Sequence, residues 1–257
     1  MDAQIIRALL TEQAQQVQIE VVEETGSTNQ DVLKRAANDS TAYLLIAKKQ
    51  TAGRGRAGRT WHSDSGDVLT FTLGWSFDGK VNDLLGLPLA VGVAVTEVLS
   101  KLGLPVQLKW PNDILKDKKK LAGILLEITT SSDGKMYAAI GIGINLQIPE
   151  SLEQRIGHTV ADAPWLAQMD RNQLLAQLLN ALTDAMLQFQ HTGFAPFAQR
   201  WNALHAYANQ AVEILENGKS VHEGVALGVN EQGYLLLQTV TGVLPIIAGD
   251  VSLRPAQ

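Results

Sequence analysis

Between Gln50 and Trp61 the sequence reads QTAGRGRAGRTW, three arginines set among three glycines, with Lys48 and Lys49 immediately ahead. Planar guanidinium groups suit phosphate or carboxylate oxygens, and glycines let the backbone come close to the same ligand. Arg54, Arg56 and Arg59 therefore point to an anion site, the plain alternative being a solvated basic loop. The stretch is not a P-loop, which needs GxxxxGK[ST], nor a dinucleotide fingerprint, since no helical pattern follows the glycines. A second constellation, LKWPNDILKDKKKLAG, sets Lys109, Trp110, Asn112 and Asp113 at a strand end and Lys118, Lys119 and Lys120 at the start of the next strand. A charged hairpin turn accounts for Lys118 and Lys119. Lys120 directly precedes LAGILLE, a run that alternates into a core, so its ammonium can be held at a cleft and neutralise charge developing on a transferring oxygen. Asp113 has the wrong sign for binding phosphate; magnesium, an incoming amine and a simple Asn-Asp turn are its three readings.

In AIGIGINL, two glycines inside a strand leave room for a flat ligand on the sheet, or mark a bulge. Asn145 offers a donor and an acceptor to a base edge. His62, His158, His191, His205 and His222 are scattered without metal-ligand spacing and receive no role, and no metal site is expected. Trp75, Trp165 and Trp201 read as core or interface residues.

The elements that must position these groups follow from periodicity. An amphipathic helix is expected at the start, with Ile5, Ile6, Leu9 and Leu10 on one face, then a strand in VQIEVVEE. GSTNQDVLKRAAN offers Ser27 or Thr28 as the N-cap of a second helix. After the arginine loop come a strand in DVLTFTLGWSF and a long apolar-faced helix closed by Gly103. The middle is strand-rich, and the SSDGK turn makes KLAGILLEITT and MYAAIGIGINL an antiparallel hairpin. Helix returns from Asp170 to about Tyr207, broken near Gly193 and Pro196. The tail switches to short strands separated by NGK, EQG and TG turns, a small β-barrel-like domain.

Composition bounds the function. The chain has 257 residues, 46% hydrophobic, a formal net charge of −5 and no cysteine. The charge argues against a general nucleic-acid binder. The missing thiols exclude disulfides and a cysteine nucleophile and fit a reducing compartment. No apolar run approaches the roughly 20 residues of a membrane span, and the start lacks a secretory pattern, so a cytoplasmic protein is expected.

Together the motifs resemble the biotin protein ligases: STN at Ser27 to Asn29, the arginine loop, KWPND at Lys109 to Asp113, KKLAGILLE at Lys119 to Glu127, GIGIN at Gly141 to Asn145, and weakly VSLRP in the tail. The resemblance implies an α+β fold like the class II aminoacyl-tRNA synthetase catalytic core, a mixed sheet with flanking helices over residues 1–207, and an SH3-like barrel over 208–257. It implies that biotin and MgATP form biotinyl-5′-adenylate, whose biotinyl group passes to a lysine of the biotin carboxyl carrier domain of acetyl-CoA carboxylase. By the same analogy Ser27, Thr28, Asn29 and Gln50 line the biotin end, and Arg54, Gly55 and Arg56 close over biotin and phosphate. Lys120 touches the biotin carboxylate and the α-phosphate, and Gly123 and Gly141 leave space. Arg59, Trp61, Lys109, Asn112 and Asn145 serve ATP, while Asp113 sits where the acceptor lysine arrives. Lys120, Arg54, Arg56 and Asp113 are the expected catalytic group. Some members carry an N-terminal DNA-binding domain; here one helix and one strand precede STN, so no repressor function is expected. Members are often homodimers. Two competitors are a lipoate or octanoate ligase, whose Arg-Arg-x-Ser-Gly-Gly-Gly type loop is absent here, and a non-enzymatic nucleic-acid-binding module.

Overall fold

The run YLLIA is apolar without alternation because its strand is covered on both faces. Tyr43 and Leu45 pack with Val32 and Ala36 of one helix, while Leu44 and Ile46 enter the main core. The computed structural model describes residues 1–63, 67–131, 133–150, 153–154, 159–216, 218–249 and 251–256. His158 lies outside them, as do Ser132 of the SSDGK turn and Asn217 of the NGK turn.

In chain order the elements are α1 (Ala3–Ala8), β1 (Gln18–Thr25), α2 (Thr28–Ala36), β2 (Tyr43–Gln50), β3 (Val68–Phe77), α3 (Leu87–Lys101), β4 (Val106–Lys109), β5 (Asp113–Lys116), β6 (Lys119–Thr130) and β7 (Met136–Asn145). Then follow α4 (Pro164–Gln168), α5 (Arg171–Thr192), α6 (Ala195–Ala203), β8 (Ala211–Glu216), β9 (Lys219–Val229), β10 (Leu235–Thr239), β11 (Gly242–Ile246) and β12 (Val251–Pro255). A seven-stranded sheet runs β1-β2-β3-β7-β6-β5-β4. Only its β1–β2 pair is parallel, so the sheet is mixed as expected. The tail forms a five-stranded antiparallel sheet, β11-β10-β9-β8-β12.

The sequence reading needs correction in three places. The first helix ends at Ala8, and Ile5 and Leu9 stand 51% and 45% exposed, so only Ile6 and Leu10 of the expected face are buried. Ser27 occupies the N-cap position of α2, but its hydroxyl makes no capping bond; Gln50 Oε1 takes the Thr28 N–H instead, at 2.9 Å. The helical stretch Val81–Lys101 is long and apolar enough for a membrane span, which reading unbroken runs overlooked because Asn82, Asp83 and Gly86 interrupt it; 72% of its apolar window is buried inside the protein. There α3 is the central core helix, closed by Gly103 at φ +86°. Of the tryptophans read as core or interface residues, Trp201 is core, whereas Trp165 is 43% exposed and lies outside the core.

The core is continuous between the two sheets. Val212, Ile214, Leu235 and Leu253 of the second sheet belong to the same buried cluster as α3 and α5. Trp110, fully buried, donates from Nε1 to the Gly233 carbonyl at 3.3 Å.

Candidate active site

Strand register builds the floor of the site. Thr70 of β3 pairs with Gly143 of β7, Gly143 with Gly123 of β6, Gly123 with Asp113 of β5, and Asp113 with Lys109 of β4. Directly paired residues share a face, so this row lies on one side of the sheet. The next row on that face holds Thr72, Gly141 and Leu125. Above it opens a cleft of about 520 Å³ that also takes in Ser27, Thr28, Asn29, Gln50, Arg54, Gly55, Arg56, Arg59, Trp61, Asn112, Lys120 and Asn145. Every residue that the resemblance assigns to biotin, ATP or catalysis therefore lines one cavity.

Lys120 reaches the cleft through a bulge. Strict alternation from Ala122 and Ile124, both buried in the core, would turn Lys120 inward as well. The β5–β6 register shifts, pairing Ile114 with Ala122 and Leu115 with Lys120 and leaving Leu121 extra. Leu121 and Ala122 both stay buried, and Lys120 is re-aimed at the cleft. Its Nζ lies 2.6 Å from Asp113 Oδ1 and 5.5 Å from the Trp61 ring centroid.

Asp113 also faces Lys109, whose Nζ is 3.7 Å from Oδ2. Burial pushes the Asp113 carboxyl up, but Lys120 and Lys109 outweigh it and hold it below its usual range. A carboxylate so held is a weak base. Burial lowers the Lys109 ammonium to about 8 against the pull of Asp113, with Arg254 and Lys120 lowering it further.

The arginine loop is a tight ribbon. Backbone pairing joins Gln50 to Ser63, Gly53 to Trp61, Arg54 to Thr60 and Gly55 to Arg59. A Cβ on Gly53 would meet the Trp61 carbonyl at 2.3 Å. Arg54 pairs with Glu127 at 3.1 Å. Arg56 donates to Asn112 Oδ1 at 3.0 Å and to the carbonyls of Gly249 and Val251, strapping the loop to the second sheet. Arg59 donates to the Arg56 carbonyl.

Side chains of the protein fill the space the glycines leave. A Cβ on Gly141 would lie 2.2 Å from Asn29 Oδ1, and one on Gly143 would lie 2.3 Å from the Trp61 ring. Lys120 and Trp61 crowd Gly123 at 3.0 and 3.3 Å. Asn145 directs its amide nitrogen at the carbonyls of Ala161 and Lys120, so contact with a base would fall to its oxygen.

Residues 19–145 match the Biotin/lipoate A/B protein ligase family and residues 207–254 match the Biotin protein ligase C terminal domain. The biotin--[acetyl-CoA-carboxylase] ligase of Mycobacterium tuberculosis is 34% identical over 243 residues, 91% of this chain and 88% of that protein. The chain belongs to the biotin protein ligase family. The bifunctional ligase/repressor BirA of Escherichia coli is 35% identical over 90% of this chain and 72% of its own length. The solved structure of the biotin protein ligase from Aquifex aeolicus in complex with biotin and ATP superposes with a TM-score of 0.77 at 30% identity, covering 93% of this chain and 99% of that one. The class II synthetase-like core and the small C-terminal β domain agree with this family.

Within this family frame, sequence reading missed Thr70, Thr72, Glu127 and Arg254 as site residues. Arg254 reaches the cleft from β12, and only its place in VSLRP hinted at it. Thr70 and Thr72 read as ordinary strand residues until register shows which face of β3 is open. Lys118 is an exposed turn residue as expected, at φ +61°, yet its Nζ also bonds Gln210 Oε1 at 3.3 Å and sits 5.3 Å from the Tyr207 ring centroid.

Proposed function

We propose that this chain is a biotin–[acetyl-CoA-carboxylase] ligase. A biotin carboxylate oxygen attacks the α-phosphorus of ATP, releasing pyrophosphate. A carrier lysine amine then attacks the acyl carbon of biotinyl-5′-adenylate, AMP leaves, and the amine gives up a proton.

The observation that carries the reading is Lys120. Its ammonium shares one cleft with the buried polar residues Ser27, Thr28 and Gln50 and with the cations Arg54, Arg56, Arg59 and Lys109. The first chemical step brings two anions together, and this charge lowers their repulsion. Each charge-assisted hydrogen bond contributes roughly 1.5 to 3 kcal/mol. In this reading Ser27, Thr28, Asn29 and Gln50 meet the ureido ring, and Lys120 bridges the carboxylate and the α-phosphate. Arg54, Gly55 and Arg56 close over both. Asp113, ionised and held between two lysines, positions the acceptor amine and does not serve as its base. Trp61, Arg59, Lys109, Asn112 and Asn145 form the nucleotide end. Mg²⁺ would come with ATP as part of the substrate and would offset charge on its phosphates; Asp113, paired with Lys120 and Lys109, is not assigned as its ligand.

The partner is the biotin carboxyl carrier domain of acetyl-CoA carboxylase, and the setting is cytoplasmic, in keeping with a chain without cysteine. We divide the chain into 1–207, which holds the reaction floor, and 208–257, which lends Arg254. The 257 residues are assigned no operator binding, and the family resemblance brings a homodimer, testable by light scattering.

Pyrophosphate exchange tests the whole. Biotin-dependent exchange followed by biotin transfer to a carrier domain is expected. Lipoate-dependent exchange would make it a lipoate ligase, and no exchange would remove the enzymatic reading.

A further inference from the structure

A hydrogen-bond chain runs beneath the cleft, from one side of the arginine loop to the other. Arg54 pairs with Glu127 Oε1 at 3.1 Å, and Asn29 Nδ2 donates to Glu127 Oε2 at 2.9 Å and to the Leu125 carbonyl at 3.2 Å. Asn29 Oδ1 stands 2.7 Å from Thr72 Oγ1, which is 2.8 Å from Thr28 Oγ1. Thr28 contacts Gln50 Oε1 through its hydroxyl at 3.0 Å and its N–H at 2.9 Å, and Gln50 Nε2 donates to Ser63 Oγ at 3.1 Å. Thr72 is fully buried, and Ser63, Thr28, Asn29 and Gln50 are buried. Arg54 and Ser63 stand at the two sides of the loop ribbon, so one network, buried from Ser63 to Asn29 and partly exposed at Glu127 and Arg54, holds both.

Proton counting gives the network a direction. The Glu127 carboxylate accepts only, so the Asn29 amide must turn its nitrogen toward it and its oxygen toward Thr72. The single Thr72 proton then goes to Asn29, and Thr72 can only accept from Thr28. The Thr28 proton has two acceptors, Thr72 and Gln50. A ligand carbonyl or amide arriving at Thr28 and Gln50 draws on that proton and changes how strongly Thr28 donates to Thr72; the bonds from Thr72 through Asn29 to Glu127 keep their direction and strengthen or weaken together, and Glu127 holds Arg54 at the partly exposed end.

We infer that Glu127 and Thr72 are positioning residues that couple occupancy of the ureido end to docking of the arginine loop. This rests on the biotin reading above and adds two residues that reach the ligand only through others. By linkage the coupling is reciprocal: the docked loop tightens biotin as biotin docks the loop.

Hydrogen exchange at residues 53–62, with and without saturating biotin and no ATP, tests it. In the unaltered protein biotin slows exchange there by about 10-fold or more; Glu127→Gln, which keeps shape and an acceptor for Asn29, and Thr72→Val both cut the effect below about 3-fold. Thr72→Ser, which keeps the hydroxyl, restores it. A purely structural role would lower melting temperatures while leaving the biotin-dependent difference intact, and that result would overturn the inference. So would Thr72→Ser behaving as Thr72→Val. If biotin fails to bind the unaltered protein, the function reading falls first and takes this inference with it.

Discussion

Lys120 and Asp113 lie 2.6 Å apart in a cleft where the ammonium helps hold the Asp113 carboxyl below its usual range. On the proposed reading the ammonium is a preorganised donor aimed at the transferring oxygen, so Lys120→Met is expected to lower biotin-dependent pyrophosphate exchange by about 10² to 10³. Lys109 carries a pH signature. Its folded value of about 8 lies below the ordinary 10.5, so the folded protein releases this proton before the unfolded chain does. Stability therefore rises with pH across that window, while the positive charge available to ATP fades. ATP binding followed by calorimetry is expected to weaken from about pH 7 to about pH 9, with the profile flattened in Lys109→Arg, whose guanidinium stays protonated. The residue types to which this chemistry is assigned were legible in the sequence, because cations spaced by glycine have few structural uses. The pairing of Lys120 with Asp113 was not, because the two belong to different strands.

At the scale of elements, β6 and β7 show how a strand becomes a floor. On β7 the core face carries Ala138, Ile140, Ile142 and Ile144, whereas the cleft face carries Gly141, Gly143 and Asn145. The alternation was readable, and the glycines rightly signalled a close approach. What approaches Gly143 is the Trp61 indole, a partner more than eighty positions away that periodicity cannot name. Gly143→Ala would put a methyl 2.3 Å from that ring. The displaced indole should destabilise the protein by about 1 to 3 kcal/mol, read as a lower urea midpoint at unchanged slope. The bulge at Leu121 was equally hidden, since KKLAGILLE contains no residue that demands one.

For the molecule as a whole, the two sheets share a core and a seam. His205 bridges to Leu108 at that seam, is buried with both ring nitrogens unpartnered, and sits 4.7 Å from the Trp201 ring centroid. Burial lowers its imidazole from 6.5 to about 4. The unfolded chain takes up a proton that the folded protein refuses, so stability is complete above pH 6.5 and is lost as pH falls toward about 4. His205→Phe keeps a ring against Trp201 and is expected to flatten this loss in thermal melts between those two pH values.

The order and type of most elements and the family could be read from the sequence alone, because helix and strand periods and motif spacing are written between near neighbours. Tertiary structure alone decided that Lys120 faces the cleft, that Asn29 and Trp61 lie over the glycines, that β12 brings Arg254 to the site, and that Glu127 holds the loop. Those outcomes depend on register and packing between segments far apart in the chain, where many partners are locally equivalent and only the assembled core selects one.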